Sequence, residues 1–340
     1  ARVRGPVGDD CGCAMAGGIG LSAVFSPWQQ RAYDHAIAAL DADRLGHGLL
    51  ICGPAGLGKR AVADRLAAHV LAGNGAAADA RSTQLIAAGT HPDLHLVSFV
   101  PTKDGSKLRT EIVIDQMREL SQKLSLTPQY GAAQVAIVDP ADAINRAACN
   151  ALLKTLEEPA AGRYLWLISA EPARLPATIR SRCQRLEFKL PPHGEALEWL
   201  RTQGHSDKEA REALDAARGH PGLADAWLSD GGMALRKAVA GDLAKLERGE
   251  IEVVDTAQRW SSDEHADLRL RHAADLVLAQ AGDAGLTDAA RLHKLATWFD
   301  AANRTRDLLR TTVRGDLAMV DLLLAWRGAD RTRAAKGDRG

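Results

Sequence analysis

Residues 53–60 read GPAGLGKR. A strand-like run, GLLIC (48–52), precedes them, and Val62, Leu66 and Val70 follow at helical steps of four. In a strand–turn–helix unit of this kind, backbone N–H groups and the helix N-terminus face phosphates, and a lysine reaches the outer ones. Gly53, Gly56, Gly58 and Lys59 fit that arrangement. The pattern then asks for Ser or Thr, whose hydroxyl ligates magnesium, but Arg60 stands there. The loop therefore reads strongly for fold and weakly for activity. A degenerate nucleotide site and a vestigial loop that binds nothing both stay open, with ATP as the ligand of the first.

Working outward, apolar runs alternate with helical patterns through the first half. LHLV (94–97), QVAIV (134–138), YLWLI (164–168) and RLEF (185–188) are further strands. Asp115 is a candidate cap for a helix carrying Met117, Leu120 and Leu124. Ile144, Ala148, Leu152 and Leu156 mark one face of a helix that must stop at Pro159. Continuous apolar strands alternating with helices predict a parallel sheet covered on both faces. The stretch 73–89, GNGAAADARSTQLIAAG, reads as a loop or short insertion. After KLPP (189–192) only helical patterns remain, broken at Gly204, GHPG (219–222) and GG (231–232). Leu309, Val313, Leu317, Val320 and Leu324 predict one last helix, ahead of a polar tail expected to fray.

The chain has 340 residues, enough for two or three domains, and Lys plus Arg (43) equals Asp plus Glu (43). No global basic field exists, so nucleic-acid contact would need a local patch. Arg180, Arg182, Arg185 and Lys189 form one basic run. Arg304, Arg306, Arg310 and Arg314 read as a solvated helix face, balanced by Asp307 and Asp316. Apolar runs are too short to span a membrane. The five cysteines, Cys11, Cys13, Cys52, Cys149 and Cys183, are odd in number and scattered, which argues for reduced thiols and a cytoplasmic setting. His91 and His95 in HPDLH read as structural, and no metal site is expected. The opening ARVRGPVGDDCGCA has no hydrophobic signal core. It reads as an over-extended start or an added remnant, with folding beginning near Phe25.

Hydrolysis also needs an acidic pair at a strand end, one carboxylate for the metal and one to polarise water. VAIVDPAD (135–142) supplies Asp139, but Pro140 follows it where a Glu is wanted. Asp142 reads as a helix cap. Two of three hydrolysis residues are therefore missing. Ser181, Arg182 and Cys183 form a compact triplet in TIRSRCQ (178–184). Arg182 could complete a neighbouring subunit's site, an effect of about 10³ to 10⁵ in rate for an arginine finger. A plain surface ion pair is the alternative.

Taken in order, GPAGLGKR, AGTHPDLHLV, VAIVDPADAINRAACNALLKTLEEP and LPATIRSRCQRLEF resemble the subunits of the bacterial DNA polymerase III clamp loader, of the AAA+ class. The resemblance is strong over about 25–190 and continues weakly to about 326, where RDLLRTTVRGDLAMVDLLLAW is similar to a closing collar helix. Within the family it most resembles the delta-prime branch. The ATP-hydrolysing gamma/tau branch would want Thr at 60, Glu at 140 and an Arg near Gly222.

The resemblance implies a RecA-like α/β AAA+ P-loop domain with a parallel sheet (25–188), a small helical lid (189–231) and an all-α collar domain (232–328). Outside them would lie a disordered leader (1–24) and a disordered tail (329–340). It makes Arg182 a trans finger, with Ser181 and Cys183 of its motif, and Ser169 the polar sensor at a strand end. It implies gamma/tau and delta subunits as partners, with the sliding clamp and primed DNA reached through the complex, and no membrane. No cofactor is required. Many members carry a four-cysteine zinc module after the loop helix, but 73–89 holds no cysteine, so no zinc is expected.

The leading expectation is a stator that does not hydrolyse ATP itself, within a polymerase holoenzyme. The alternative is an active clamp-loader ATPase of gamma/tau type, favoured by the intact Gly-Lys and Asp139. It is opposed by Arg60, Pro140 and the missing sensor Arg, and by the lack of a long C-terminal extension. An unrelated P-loop small-molecule kinase leaves the Ser-Arg-Cys triplet and the helical third domain unexplained.

Overall fold

The computed structural model describes residues 24–72, 80–102, 109–131, 133–262, 264–283, 289–309 and 315–337. Two compact units divide the described chain, one of residues 24–204 with 219–223, the other of 205–218 with 224–337. The helices expected as a separate lid are shared between them. Most of the expected leader, with Cys11 and Cys13, lies outside the described residues.

The first unit runs α1 (Pro27–Asp41), β1 (Gly48–Cys52), α2 (Lys59–Ala72), α3 (Ala80–Ala87), β2 (Leu94–Val97), α4 (Ile114–Ser125), β3 (Gln134–Val138), α5 (Arg146–Glu157), β4 (Arg163–Ser169), α6 (Ala177–Arg180), β5 (Gln184–Glu187) and α7 (His193–Thr202). The sheet is wholly parallel with order β2-β3-β4-β1-β5. Successive strand side chains point to opposite faces. Leu50, Cys52, Ala136, Val138, Leu165 and Leu167 pack on Met117, Leu120 and Leu124 of α4 and Ala148, Leu152 and Leu156 of α5. Leu49, Ile51, Val135, Ile137, Trp166 and Ile168 face α1 and α2, meeting Trp28, Val62 and Leu66. Burial on both faces is why these strands read as unbroken apolar runs.

Several local expectations change. The 73–89 stretch contains α3, with 73–79 outside the described residues. Its Ile86 is fully buried and its Ser82 hydroxyl lies 2.8 Å from His91 Nε2; small residues around it hid the helical period. Asp115 sits in the first turn of α4, and Val113 holds the cap position. The cap of α5 is Asn145, whose side chain accepts from Ala148 N at 3.0 Å, so Asp142 is free for another role. His91 is structural, as expected: its Nδ1 accepts from Asp93 N at 3.1 Å. The fully buried Asp93 carboxylate in turn accepts the N–H groups of Gln129 and Tyr130, both at 2.8 Å.

The second unit holds α8 (Asp207–Ala216), the latter part of α9 (Pro221–Ser229), α10 (Gly232–Arg248), α11 (Val253–Ser261), α12 (Ala266–Asp283), α13 (Ala289–Leu308) and α14 (Gly315–Gly337). Indole N–H groups tie its helices. Trp298 donates to Leu322 O at 2.9 Å, Trp326 to Leu243 O at 3.1 Å, and Trp260 to the Asp242 carboxylate at 2.8 Å. The single last helix expected from Leu309 onward is instead α13 and α14, with 310–314, including Val313, outside the described residues. Met319, Leu322, Leu323 and Trp326 are buried, while Leu317 and Leu324 are exposed. The tail expected to fray continues as helix to Gly337, in keeping with its run of Ala, Arg and Lys, which are good helix formers. Among the described residues no helix is long and apolar enough to cross a membrane.

His272 of α12 is fully buried against Trp227, ring centroids 4.5 Å apart, and neither ring nitrogen has a hydrogen-bond partner. Burial first, then the charges of Arg236 and Arg271, pushes its pKa down to about 3, against a small opposing effect of the Gly232 backbone. Asp275 lies in the same charged cluster, paired with Arg218 at 2.7 Å. The folded state prefers neutral His272, so its stability is complete above the unfolded pKa near 6.5 and is lost as pH falls toward 3. His272→Phe is expected to remove about 2 kcal/mol of the stability difference between pH 7.5 and pH 5. Urea denaturation of wild type and variant at both pH values measures it.

Candidate functional site

The glycine loop joins β1 to α2 at the carboxyl edge of the sheet. Gly53 N–H donates to Ser169 O at 3.3 Å, placing the loop's first residue beside the end of β4. Gly58 has φ of +75°, and a Cβ there would collide with the Gln29 side-chain amide.

The loop's carbonyls are bound by the chain itself. Lys59 is 2% exposed, and its ammonium donates to Gly53 O at 2.9 Å and Pro54 O at 2.7 Å. His220 Nε2 lies 2.6 Å from Ala55 O. Trp28 Nε1 donates to Leu57 O at 3.1 Å, and Gln29 Nε2 to Gly58 O at 3.3 Å. Gly222, near where a sensor Arg was looked for, packs on Gly56 so closely that any Cβ would run into the Gly56 carbonyl. No larger side chain fits at that position in this packing.

The other candidate groups at this edge are also engaged. Arg60 Nε donates to Asp64 Oδ1 at 2.7 Å, and its Nη1 reaches Asp139 Oδ2 at 3.4 Å. Burial works against the Arg60 charge, but Asp64 and then Asp139 outweigh it and hold the guanidinium above its ordinary pKa. The same burial lifts the Asp64 carboxyl in spite of Arg60. Ser169 Oγ donates to Asp142, whose other oxygen accepts Ala170 N at 2.8 Å and Glu171 N at 3.1 Å. Asp142 thus braces the turn after β4, where a helix-cap role had been expected.

Arg182 is not part of this constellation. It precedes β5, and its carbonyl packs by Gly48, the first residue of β1. The five residues of β1 therefore separate it from the loop, roughly 15 Å at a strand's rise. Its side chain is 36% exposed, pairs with Glu157 Oε1 at 2.6 Å and donates to Thr178 O at 2.9 Å. Ser181 is exposed, and its hydroxyl donates to Thr178 O at 3.3 Å. Cys183 is buried, which pushes its thiol pKa up to about 11. Cys52, Cys149 and Cys183 are all free and buried. Of the basic run, Arg185 and Lys189 are exposed, with Lys189 3.9 Å from Glu187.

The sequence reading missed Trp28, Gln29, Asp64 and His220. Asp64 was accessible, since an Arg–Asp pair four residues apart on a helix is a readable signal. Gln29 and His220 meet the loop only through tertiary structure.

A glycine loop between strand and helix at the carboxyl edge of a parallel sheet defines a P-loop α/β domain. A family profile described as "DNA polymerase III, delta subunit" matches residues 28–192. The Pseudomonas aeruginosa DNA polymerase III subunit delta' is 37% identical over 242 residues, 69% of this chain and 71% of that protein. Its Escherichia coli counterpart is 34% identical over 223 residues, 64% of this chain and 65% of that protein. A gamma/tau subunit from Mycobacterium bovis is 32% identical over 158 residues, covering 45% of this chain and 26% of that protein. The chain belongs to the DNA polymerase III subunit delta' family.

Gly222→Ala is expected to lower unfolding free energy by about 1–3 kcal/mol, the usual cost of overpacking. It should also speed amide exchange at residues 55–57, where the 219–223 segment rests. Urea denaturation and hydrogen exchange check the two effects.

Proposed function

We propose that this chain is the stator of a replicative clamp loader. It does not hydrolyse ATP itself. It helps place the sliding clamp on primed DNA and lends Arg182 to the ATP site of a neighbouring gamma/tau subunit. The observation that carries the reading is the separation of the two sets of residues. Arg182 stands at the amino edge of the sheet, with the chain's own loop at the carboxyl edge. A guanidinium there cannot serve a phosphate bound at Gly53–Lys59, yet it is exposed enough to meet one brought by another subunit. Its ion pair with Glu157 is partly exposed and therefore weak, about 0–1 kcal/mol, so release costs little.

Family membership supports a clamp-loader role. Absence of turnover is supported by Arg60 and Pro140 at positions where catalysis wants a hydroxyl and a carboxylate. Ser169, the expected sensor, is bound to Asp142. In this reading 189–231 serve as the lid and 232–328 as the collar that meets the gamma/tau and delta subunits, in the cytoplasm.

The test is ATP turnover by the reconstituted loader with clamp and primed DNA. Arg182→Ala is expected to slow the site it serves by tenfold or more, about 1.4 kcal/mol, with the assembly intact on gel filtration. Unchanged turnover would remove the finger from the mechanism. The purified chain alone is expected to show no turnover above background, and strong turnover would favour a gamma/tau-type ATPase.

A further inference from the structure

A P-loop implies a magnesium–nucleotide ligand, and the residues of this chain do not fit one. The carboxylate that would help hold the metal, Asp139, is 3.4 Å from Arg60 Nη1. Arg60 occupies the position of the metal's hydroxyl ligand, and its Nε is held by Asp64 at 2.7 Å. Asp64 is one helical turn along α2, whereas Asp139 lies at the end of β3, so the guanidinium bridges two separate elements. All three side chains are largely buried, at 26%, 13% and 15% exposed for Arg60, Asp64 and Asp139. The bridge is therefore more than a solvated helix pair.

We infer that Arg60 is a built-in cation that takes the place of the divalent ion, so that the loop keeps a liganded shape with no metal–nucleotide bound. The charges of Lys59, Arg60, Asp64 and Asp139 sum to zero, so these two carboxylates are balanced without a further cation. A divalent ion arriving beside Asp139 would meet a guanidinium and face like-charge repulsion in a partly desolvated place. The bridge also fastens the loop helix to the strand that carries Asp139, a link that metal and phosphate supply in a loop ending Lys-Ser or Lys-Thr. Arg60 is thus a specificity-determining residue acting by exclusion. The inference deepens the stator reading and rests on it only in taking the site as non-hydrolysing.

The experiment is binding of a fluorescent N-methylanthraniloyl ATP to the full chain, with magnesium and with EDTA. Wild type, Arg60→Thr and Arg60→Met are compared, and each variant's fold is checked by circular dichroism and melting. Wild type is expected to show less than about a twofold change with magnesium. Arg60→Thr, which restores a hydroxyl and takes the guanidinium away from Asp139, is expected to gain at least about tenfold magnesium-dependent affinity. Arg60→Met removes the charge without supplying a ligand and is expected to gain none. Both variants should melt below wild type, and adding Asp139→Asn to Arg60→Met should recover part of the loss.

Tenfold tightening of wild type by magnesium overturns the inference, whether or not any variant folds. So does a folded Arg60→Thr that gains nothing. Neither result touches the Arg182 turnover test, and failure of that test leaves the Arg60 result standing.

Discussion

The buried Lys59 ammonium, 2% exposed, must find oxygen partners, and around residues 53–60 that requirement organises the rest. An uncompensated buried charge is too costly to persist. Lys59 meets the need by turning onto the carbonyls of Gly53 and Pro54. The neighbouring carbonyls are drawn in by Trp28, Gln29 and His220. The loop thereby becomes a hub to which the first helix and the 219–223 segment are tied. The oxygens of Gly53 and Pro54 are answered from within the loop, and those of Ala55, Leu57 and Gly58 by donors from distant parts of the same unit.

The parallel sheet gives this hub a polarity. Every strand points the same way, so the turns that follow strands collect at one edge and the turns that precede them collect at the other. Gly53 and Asp139 follow strands and Ser169 ends one; Arg182 precedes one. The two groups are held apart by the length of the strands, and no side-chain motion within the unit brings them together. The first edge is closed by internal bonds. The second presents a guanidinium whose carboxylate partner is half exposed.

The sheet was legible because burial on both faces leaves runs such as GLLIC and QVAIV with no polar interruption, and the strand limits follow from that. Helices of the first unit were legible where one face packs on the sheet, as in Met117, Leu120 and Leu124. The last helices were misread because the leucine period does not mark the buried face of α14: Leu317 and Leu324 turn outward while Trp326 turns in. For the site, residue types at the expected places could be read: Arg60 for a hydroxyl, Pro140 for a carboxylate. What they bond to could not. The Arg60–Asp139 bridge spans 79 positions, and the role of Asp142 depends on where β4 ends beside it. Such pairings belong to the folded chain, and no local pattern announces them.

The contact of Gly222 with Gly56 changes what the glycine motif means in this chain. In a working nucleotide site, those glycines give a phosphate room to approach. Here fit within the chain demands glycine as well, at Gly58 against Gln29 and at Gly222 against Gly56. A glycine lost from this loop would be felt first as a misfolded domain, well before any question of a ligand arose. The glycines of GPAGLGKR thus carry a packing requirement of their own, separate from that of any ligand.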